Sequence, residues 1–207
     1  VIDYEFYETP EAFTRYLFRR YPTPIGSRLF APCVGSGAIP RVACECGADD
    51  WQINDLDPRW SADSHLDARK PHLWEEVEPE WTIDNPPFGP VMEILPLALK
   101  HSSHGVAFHL RASIHEPLRT PGDLRRMFLH QHPPTGILWL PRFGYQRSPS
   151  TGKWSTDSVT ACWVIWEKGA TSQFIDYADE QCHVELAAET PAYRARMDAL
   201  MAARAAA

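Results

Sequence analysis

The residues with the most chemical content are Asn85-Pro86-Pro87-Phe88, directly after Asp84. Two consecutive prolines remove two backbone donors and stiffen the chain, so the asparagine ahead of them is held in place. Its amide oxygen and the neighbouring Pro86 carbonyl are two acceptors for the two protons of one NH2 group. An arylamine is a poor nucleophile because its lone pair is delocalised into the ring. Two acceptors on its NH2 favour a pyramidal nitrogen and point the lone pair at an electrophile, with neither a metal nor a strong base. Phe88 adds a flat face on which a base can stack. Asn85, Pro86, Pro87 and Phe88 are therefore the candidate catalytic residues, with Phe88 also a candidate for holding substrate; the bland alternative is a plain turn.

Three further clusters fit a ligand beside that edge. Phe30-Ala31-Pro32-Cys33-Val34-Gly35-Ser36-Gly37 places glycines where backbone can approach a ligand closely, ahead of a helix N-terminus with free N–H groups. By itself this turn fits many nucleotide or cofactor sites. Asn54-Asp55-Leu56-Asp57 follows, with Asp55 lying 18 residues beyond Gly37. That is near the ~20-residue spacing at which a carboxylate takes ribose hydroxyls in doubly wound folds, although a surface aspartate fits too. His65-Leu66-Asp67-Ala68 pairs an acid with a small residue, which suits an adenine amine or an ordinary turn.

Elements must hold these clusters together. Thr9-Pro10-Glu11 reads as a helix start, with Thr9 as N-cap, continuing to about Arg20. Residues 28–31, 52–54, 81–84, 105–110, 137–140 and 159–166 read as strands. Residues 39–46, 91–101 and 122–130 read as helices, with Pro96 a possible kink. Residues 57–70 read as irregular, and 142–157 as a long Gly-, Ser- and Arg-rich loop. Thr190-Pro191 reads as the start of an Ala-rich terminal helix. The strand–helix alternation implies a mostly parallel sheet covered by helices on both faces, with a strand pair and an antiparallel strand near the C-terminal end. Residues 1–185 are expected to form one domain and 186–207 a helical tail.

Composition bounds the partners. The 207 residues carry a formal charge of −7, which argues against a purely charge-driven nucleic-acid binder. The charge is uneven: residues 45–93 hold 13 acidic and 3 basic side chains, whereas residues 101–153 hold 7 basic and 2 acidic ones with six histidines. An anionic substrate would dock on the basic stretch, with residues 111–157 as the target-binding region. Arg111, Arg142, Arg147 and Lys153 are its candidate contacts, along with Arg119, Arg125 and Arg126. The five cysteines form no CxxC pair, and metal-ligand spacings such as HExxH are absent, so reduced thiols and no metal are expected. No apolar run approaches ~18 residues, and a cytoplasmic protein of a bacterial or phage-infected cell is expected.

Taken together, the four clusters resemble the amino-group DNA methyltransferases, especially the adenine-N6 type, whose hallmark Asp/Asn-Pro-Pro-Tyr/Phe is matched by Asn85–Phe88. The resemblance spans roughly residues 4–168 and is similar in layout to small orphan enzymes of phages and prophages. It implies a Rossmann-like methyltransferase fold and S-adenosyl-L-methionine as cofactor. It places the cofactor against Ala31, Pro32, Cys33, Gly35 and Gly37, its ribose on Asp55 and Leu56, and its adenine on Asp67 and Ala68. It also places Asn85 and an N-terminal Tyr7-Glu8-Thr9-Pro10 element beside the cofactor, with Tyr7, Thr9 and Pro10 as contacts. DNA is the implied partner. One departure stands out: the family's acid before the loop proline is Ala31 here. RNA guanine-N2, DNA cytosine-N4 and protein glutamine are alternative substrates of the same chemistry. A catalytically silent nucleic-acid-binding module is the alternative of another class, favoured by Ala31 and opposed by the intact Asn-Pro-Pro-Phe.

Overall fold

The computed structural model describes residues 6–116, 124–146, 152–154 and 160–206; the side chains of Leu124, Arg126 and residues 204–206 are not among those described. The order is α1 (Glu11–Arg20), β1 (Leu29–Ala31), α2 (Ala38–Glu45), β2 (Trp51–Ile53), α3 (Pro71–Val77), β3 (Trp81–Asp84), α4 (Val91–His101) and β4 (Gly105–Arg111). A 3-10 turn (Ala112–His115), α5 (Leu124–Gln131), β5 (Gly136–Trp139), β6 (Ala161–Glu167), β7 (Phe174–Tyr177) and α6 (Glu180–Ala206) follow. One seven-stranded sheet runs β2-β1-β3-β4-β6-β5-β7. Every neighbouring pair is parallel except those made by β6, which is antiparallel to both β4 and β5.

Period-two alternation on the central strands splits the interior into two layers. On β6, Ala161, Trp163 and Ile165 face the layer shared with α1 and α6, while Cys162, Val164 and Trp166 face the layer under α3 and α4. β4 divides the same way, Ala107 on the first side and Val106, Phe108 and Leu110 on the second. Helices therefore cover both faces of a mostly parallel sheet. A single antiparallel strand lies near the C-terminal end, as the sequence pattern implies.

Four features depart from the sequence expectations. Thr9 does not cap α1: Pro10 holds the N-cap position without a side-chain cap, and the Thr9 hydroxyl is buried without a partner. The α1 N-terminus is served from a distance instead, Ala12 N–H donating to Glu189 Oε2 at 3.2 Å. The terminal helix begins at Glu180, ten residues before Thr190, with Pro191 inside it. The proline removes the N–H that would have served the Ala187 carbonyl, and the helix continues through it. Cys182, Leu186, Tyr193 and Met197 also bury one face of the helix on both sides of the proline. The expected boundary at 185/186 thus falls within a continuous helix. Finally, α3 and β7 were not expected: α3 starts on Pro71 and buries only Leu73 and Trp74, and β7 is a half-exposed edge strand. Neither carries the long periodic pattern by which an element is read.

Glu189 has a consequence for stability. Burial pushes its carboxyl up to about 7, against the lowering effect of the Ala12 N–H. An acid whose pKa rises on folding favours the native state at low pH. Its contribution is fully present below the unfolded-chain value of 4.5 and is lost as pH rises through about 7. Glu189→Gln, which can still accept from Ala12, is expected to lose less stability than the wild type between about pH 5 and about pH 8. Urea denaturation at the two pH values measures this, and an unchanged slope would refute it.

Candidate functional site

The strand order reverses between β1 and β3: β2 lies on one side of β1, and β3 leads away on the other. Loops leaving the two strands diverge at such a point and open a crevice at their C-terminal ends. A pocket of about 490 Å³ occupies it. Its walls come from the N-terminal segment (Phe6 to Thr9), the loop after β1, the end of β2, Asp67-Ala68, the end of β3 and the start of α4.

Glycine is required in the loop after β1. Gly35 has φ +52° and Gly37, the N-cap of α2, has φ +74°. A Cβ on Gly35 would sit 2.8 Å from the Phe6 ring, so the N-terminal segment lies directly on the loop. Phe6 in turn stacks on Trp60 with centroids 4.9 Å apart. Glu8 fixes the approach from below. Its carboxylate accepts from the Ser36 hydroxyl (2.6 Å) and pairs with Arg196 of α6 (2.7 Å).

Asp55 braces the same loop, accepting from Gly35 N–H and Asp57 N–H, each at 2.8 Å. Each oxygen retains lone-pair capacity toward the pocket. Burial raises its pKa, with Asp57 adding to the rise and the two N–H donors opposing it. Asp67 lines the pocket but is held by Arg69 in a two-pronged pair (2.9 and 2.7 Å), and that bond keeps its pKa low.

The end of β3 carries the decisive geometry. Asn85 donates from Nδ2 to Tyr7 O at 2.6 Å. That bond fixes the amide, and among the described residues no hydrogen bond is made to its Oδ1, so Asn85 brings an acceptor to the pocket it lines. Asp84, 2 % exposed, accepts from Cys33 N–H (2.5 Å) on Oδ2 and from Asn85 N–H (2.8 Å) on Oδ1. Burial raises its pKa to about 7, against the effect of those two donors. Burial also raises the Cys33 thiol well above its ordinary value, with Asp84, Asp55 and Asp67 adding to it, so Cys33 stays a neutral wall of the pocket.

Of the residues singled out in the sequence, Tyr7, Thr9, Pro32, Cys33, Gly35, Asp55, Leu56, Asp67, Ala68, Asn85 and Pro87 line this pocket. Ala31, Pro10, Gly37 and Pro86 adjoin lining residues in the chain without lining the pocket themselves. Phe88 also lies beside the pocket, tilted against Tyr7 at 5.7 Å, with the Arg111 guanidinium 4.5 Å from its ring centroid. Arg111 is thus placed near the site, at the end of β4. Arg142 and Lys153 are exposed and do not line the pocket. Arg125 donates to Glu116 O. Arg119 and Arg147, like the Arg126 side chain, lie outside the described residues. Three of the histidines add little positive charge here: burial lowers His109 to about 3 and also lowers His101 and His115. Sequence reasoning missed Phe6 and Trp60 as parts of the site, and it gave no role to Glu8, Ser36 and Asp84 although each stands inside or beside a motif it singled out. Phe6 and Trp60 carried no local signal.

No family model and no curated protein sequence matches the chain. Solved structures do. A modification subunit of a candidate type I restriction enzyme from Vibrio vulnificus aligns with TM-score 0.61 and 13% identity, over 87% of this chain and 49% of that one. The methyltransferase subunit of a type I restriction-modification system from Streptococcus thermophilus gives 0.58 and 13%, over 89% and 53%. A candidate RNA methyltransferase from Pyrococcus horikoshii gives 0.57 and 16%, over 79% and 88%. The chain has the Rossmann-like fold of S-adenosylmethionine-dependent methyltransferases. It spans about half the length of the two restriction-system subunits.

Gly35→Ala tests the loop. An L-residue with φ near +52° pays about 1–2 kcal/mol, and the added methyl must displace the Phe6 ring. The variant is expected to unfold at lower denaturant concentration by about that free energy. Wild-type stability would show that the turn relaxes freely.

Proposed function

We propose that this protein is an S-adenosylmethionine-dependent methyltransferase acting on an exocyclic amine, with adenine N6 of DNA as its substrate. The observation that carries the reading is Asn85: its Nδ2 is committed to Tyr7 O, and its Oδ1 is left open at a pocket mouth stiffened by Pro86-Pro87.

The pocket fits the cofactor in chemistry as well as place. Glycine backbone at positive φ, carboxylates at the β2 and β3 ends and apolar walls from Phe6, Ile39 and Ile94 match a nucleoside joined to an amino-acid arm. When bound, that group supplies an electrophilic methyl on sulfur. The remaining work belongs to the chain. Asn85 Oδ1 and the Pro86 carbonyl accept from the target NH2 and aim its lone pair. Phe88, braced by Arg111 and Tyr7, offers a stacking face to a base flipped out of a duplex. The contribution is mainly positioning, by which a bimolecular transfer becomes effectively unimolecular. DNA is favoured over other amine substrates by the resemblance of Thr9-Pro10 to the N-terminal element of the adenine-N6 enzymes. The excess of arginine and lysine in residues 101–153 favours a phosphate backbone.

The test is incubation with S-adenosylmethionine and either unmethylated DNA or total RNA, followed by nucleoside mass spectrometry. N6-methyladenine in the DNA arm is expected. Asn85→Ala should lower turnover by roughly two to three orders of magnitude, the scale of losing one preorganised polar contact, while cofactor affinity by calorimetry is unchanged. Methylguanine confined to the RNA arm would move the substrate to RNA. Full activity in Asn85→Ala would sink the mechanism.

A further inference from the structure

The pocket is strongly acidic. Six carboxylates line it, those of Glu8, Asp55, Asp57, Asp67, Asp84 and Glu93, against one arginine, Arg69. Three of the six are neutralised within the protein: Asp57 by Arg59, Asp67 by Arg69 and Glu8 by Arg196. Glu93 is exposed and Asp55 is half-buried, so water can solvate both. Among the described residues, Asp84 alone of the six is both buried and without a cationic partner. A carboxylate withdrawn from water at this depth is costly unless a positive charge meets it.

We propose that Asp84 receives the α-ammonium group of the cofactor's amino-acid arm, a role that rests on the cofactor reading given above. Its two backbone donors use one lone pair on each oxygen, and the other two remain for an N–H donor in the pocket. The position is also suitable. Asp84 is joined by one peptide bond to Asn85, so a cofactor anchored on Asp84 has its reactive centre near the Asn85 acceptor. β1 contributes no rival acid: it pairs in register with β3 (Leu29↔Trp81, Phe30↔Thr82), and the side chain at its end is the methyl of Ala31. A bound ammonium would supply the positive charge that the surrounding arginines, paired with other carboxylates, do not.

A ligand-side comparison tests this. S-adenosylhomocysteine, its des-amino analogue with the carboxylate retained, and 5′-methylthioadenosine are titrated calorimetrically into the full chain and into Asp84→Asn. The wild type is expected to bind S-adenosylhomocysteine about 10- to 100-fold more tightly than the des-amino analogue, the range of a charge-assisted contact. Asp84→Asn should erase that gap; its amide can keep only one of the two backbone N–H bonds, and its affinity for methylthioadenosine measures how far the loop is disturbed. Equal wild-type affinity for the two homocysteine ligands overturns the assignment and leaves the cofactor reading standing, as does a gap that persists in the variant. Wild-type protein that binds none of the three ligands overturns both. Should Asp84→Asn lose methylthioadenosine through misfolding, carboxyl 13C NMR of the wild type decides. One aspartate titrating near neutral pH with methylthioadenosine bound, and remaining ionised with S-adenosylhomocysteine bound, supports the assignment; no such difference overturns it.

Discussion

The hydrogen bonds that converge on Asp84 set the geometry of everything around the pocket. By accepting from Cys33 N–H and Asn85 N–H, one buried carboxylate ties the loop after β1 to the end of β3. The separation between the glycine backbone and the Asn85 amide then depends on strand pairing and on these two bonds. The prolines at 86 and 87 extend this constraint outward, since neither can rotate about φ.

A second layer of support comes from the far end of the chain. Helix α6 reaches the pocket through Arg196, which pairs with Glu8, whose other oxygen accepts from Ser36. Tyr193, fully buried, donates toward both Glu8 O and Tyr145 O, and Glu189 serves the α1 N-terminus. The N-terminal segment thus lies between the sheet and α6, which holds Tyr7 where its carbonyl orients Asn85. The most C-terminal helix is therefore part of the apparatus that fixes the site, although among the described residues none of its own lines the pocket.

Charge is distributed consistently with this arrangement. Five acidic side chains from residues 45–93 line the pocket, and arginines of the same stretch neutralise Asp57 and Asp67. The basic stretch begins at the pocket mouth, where Arg111 rests on Phe88. A cationic small molecule and an anionic polymer would then meet at one strand end, each on the charge that suits it.

The sequence by itself determined the order of the principal strands and helices, because period-two and period-3.6 patterns are local properties of a chain. It also determined the Gly-rich turn and the Asn-Pro-Pro-Phe edge, whose stiffness is written in adjacent residues. Only the tertiary structure decided which side chains complete the site. Phe6 covers Gly35, Trp60 stacks on Phe6, and Asn85 is oriented by a carbonyl 78 residues away. The cap of α1 moved from Thr9 to Glu189, and the terminal helix ran through Pro191, for the same reason. Burial and long-range hydrogen bonds outweigh local preferences of about 1 kcal/mol, and they exist only once the chain has folded back on itself.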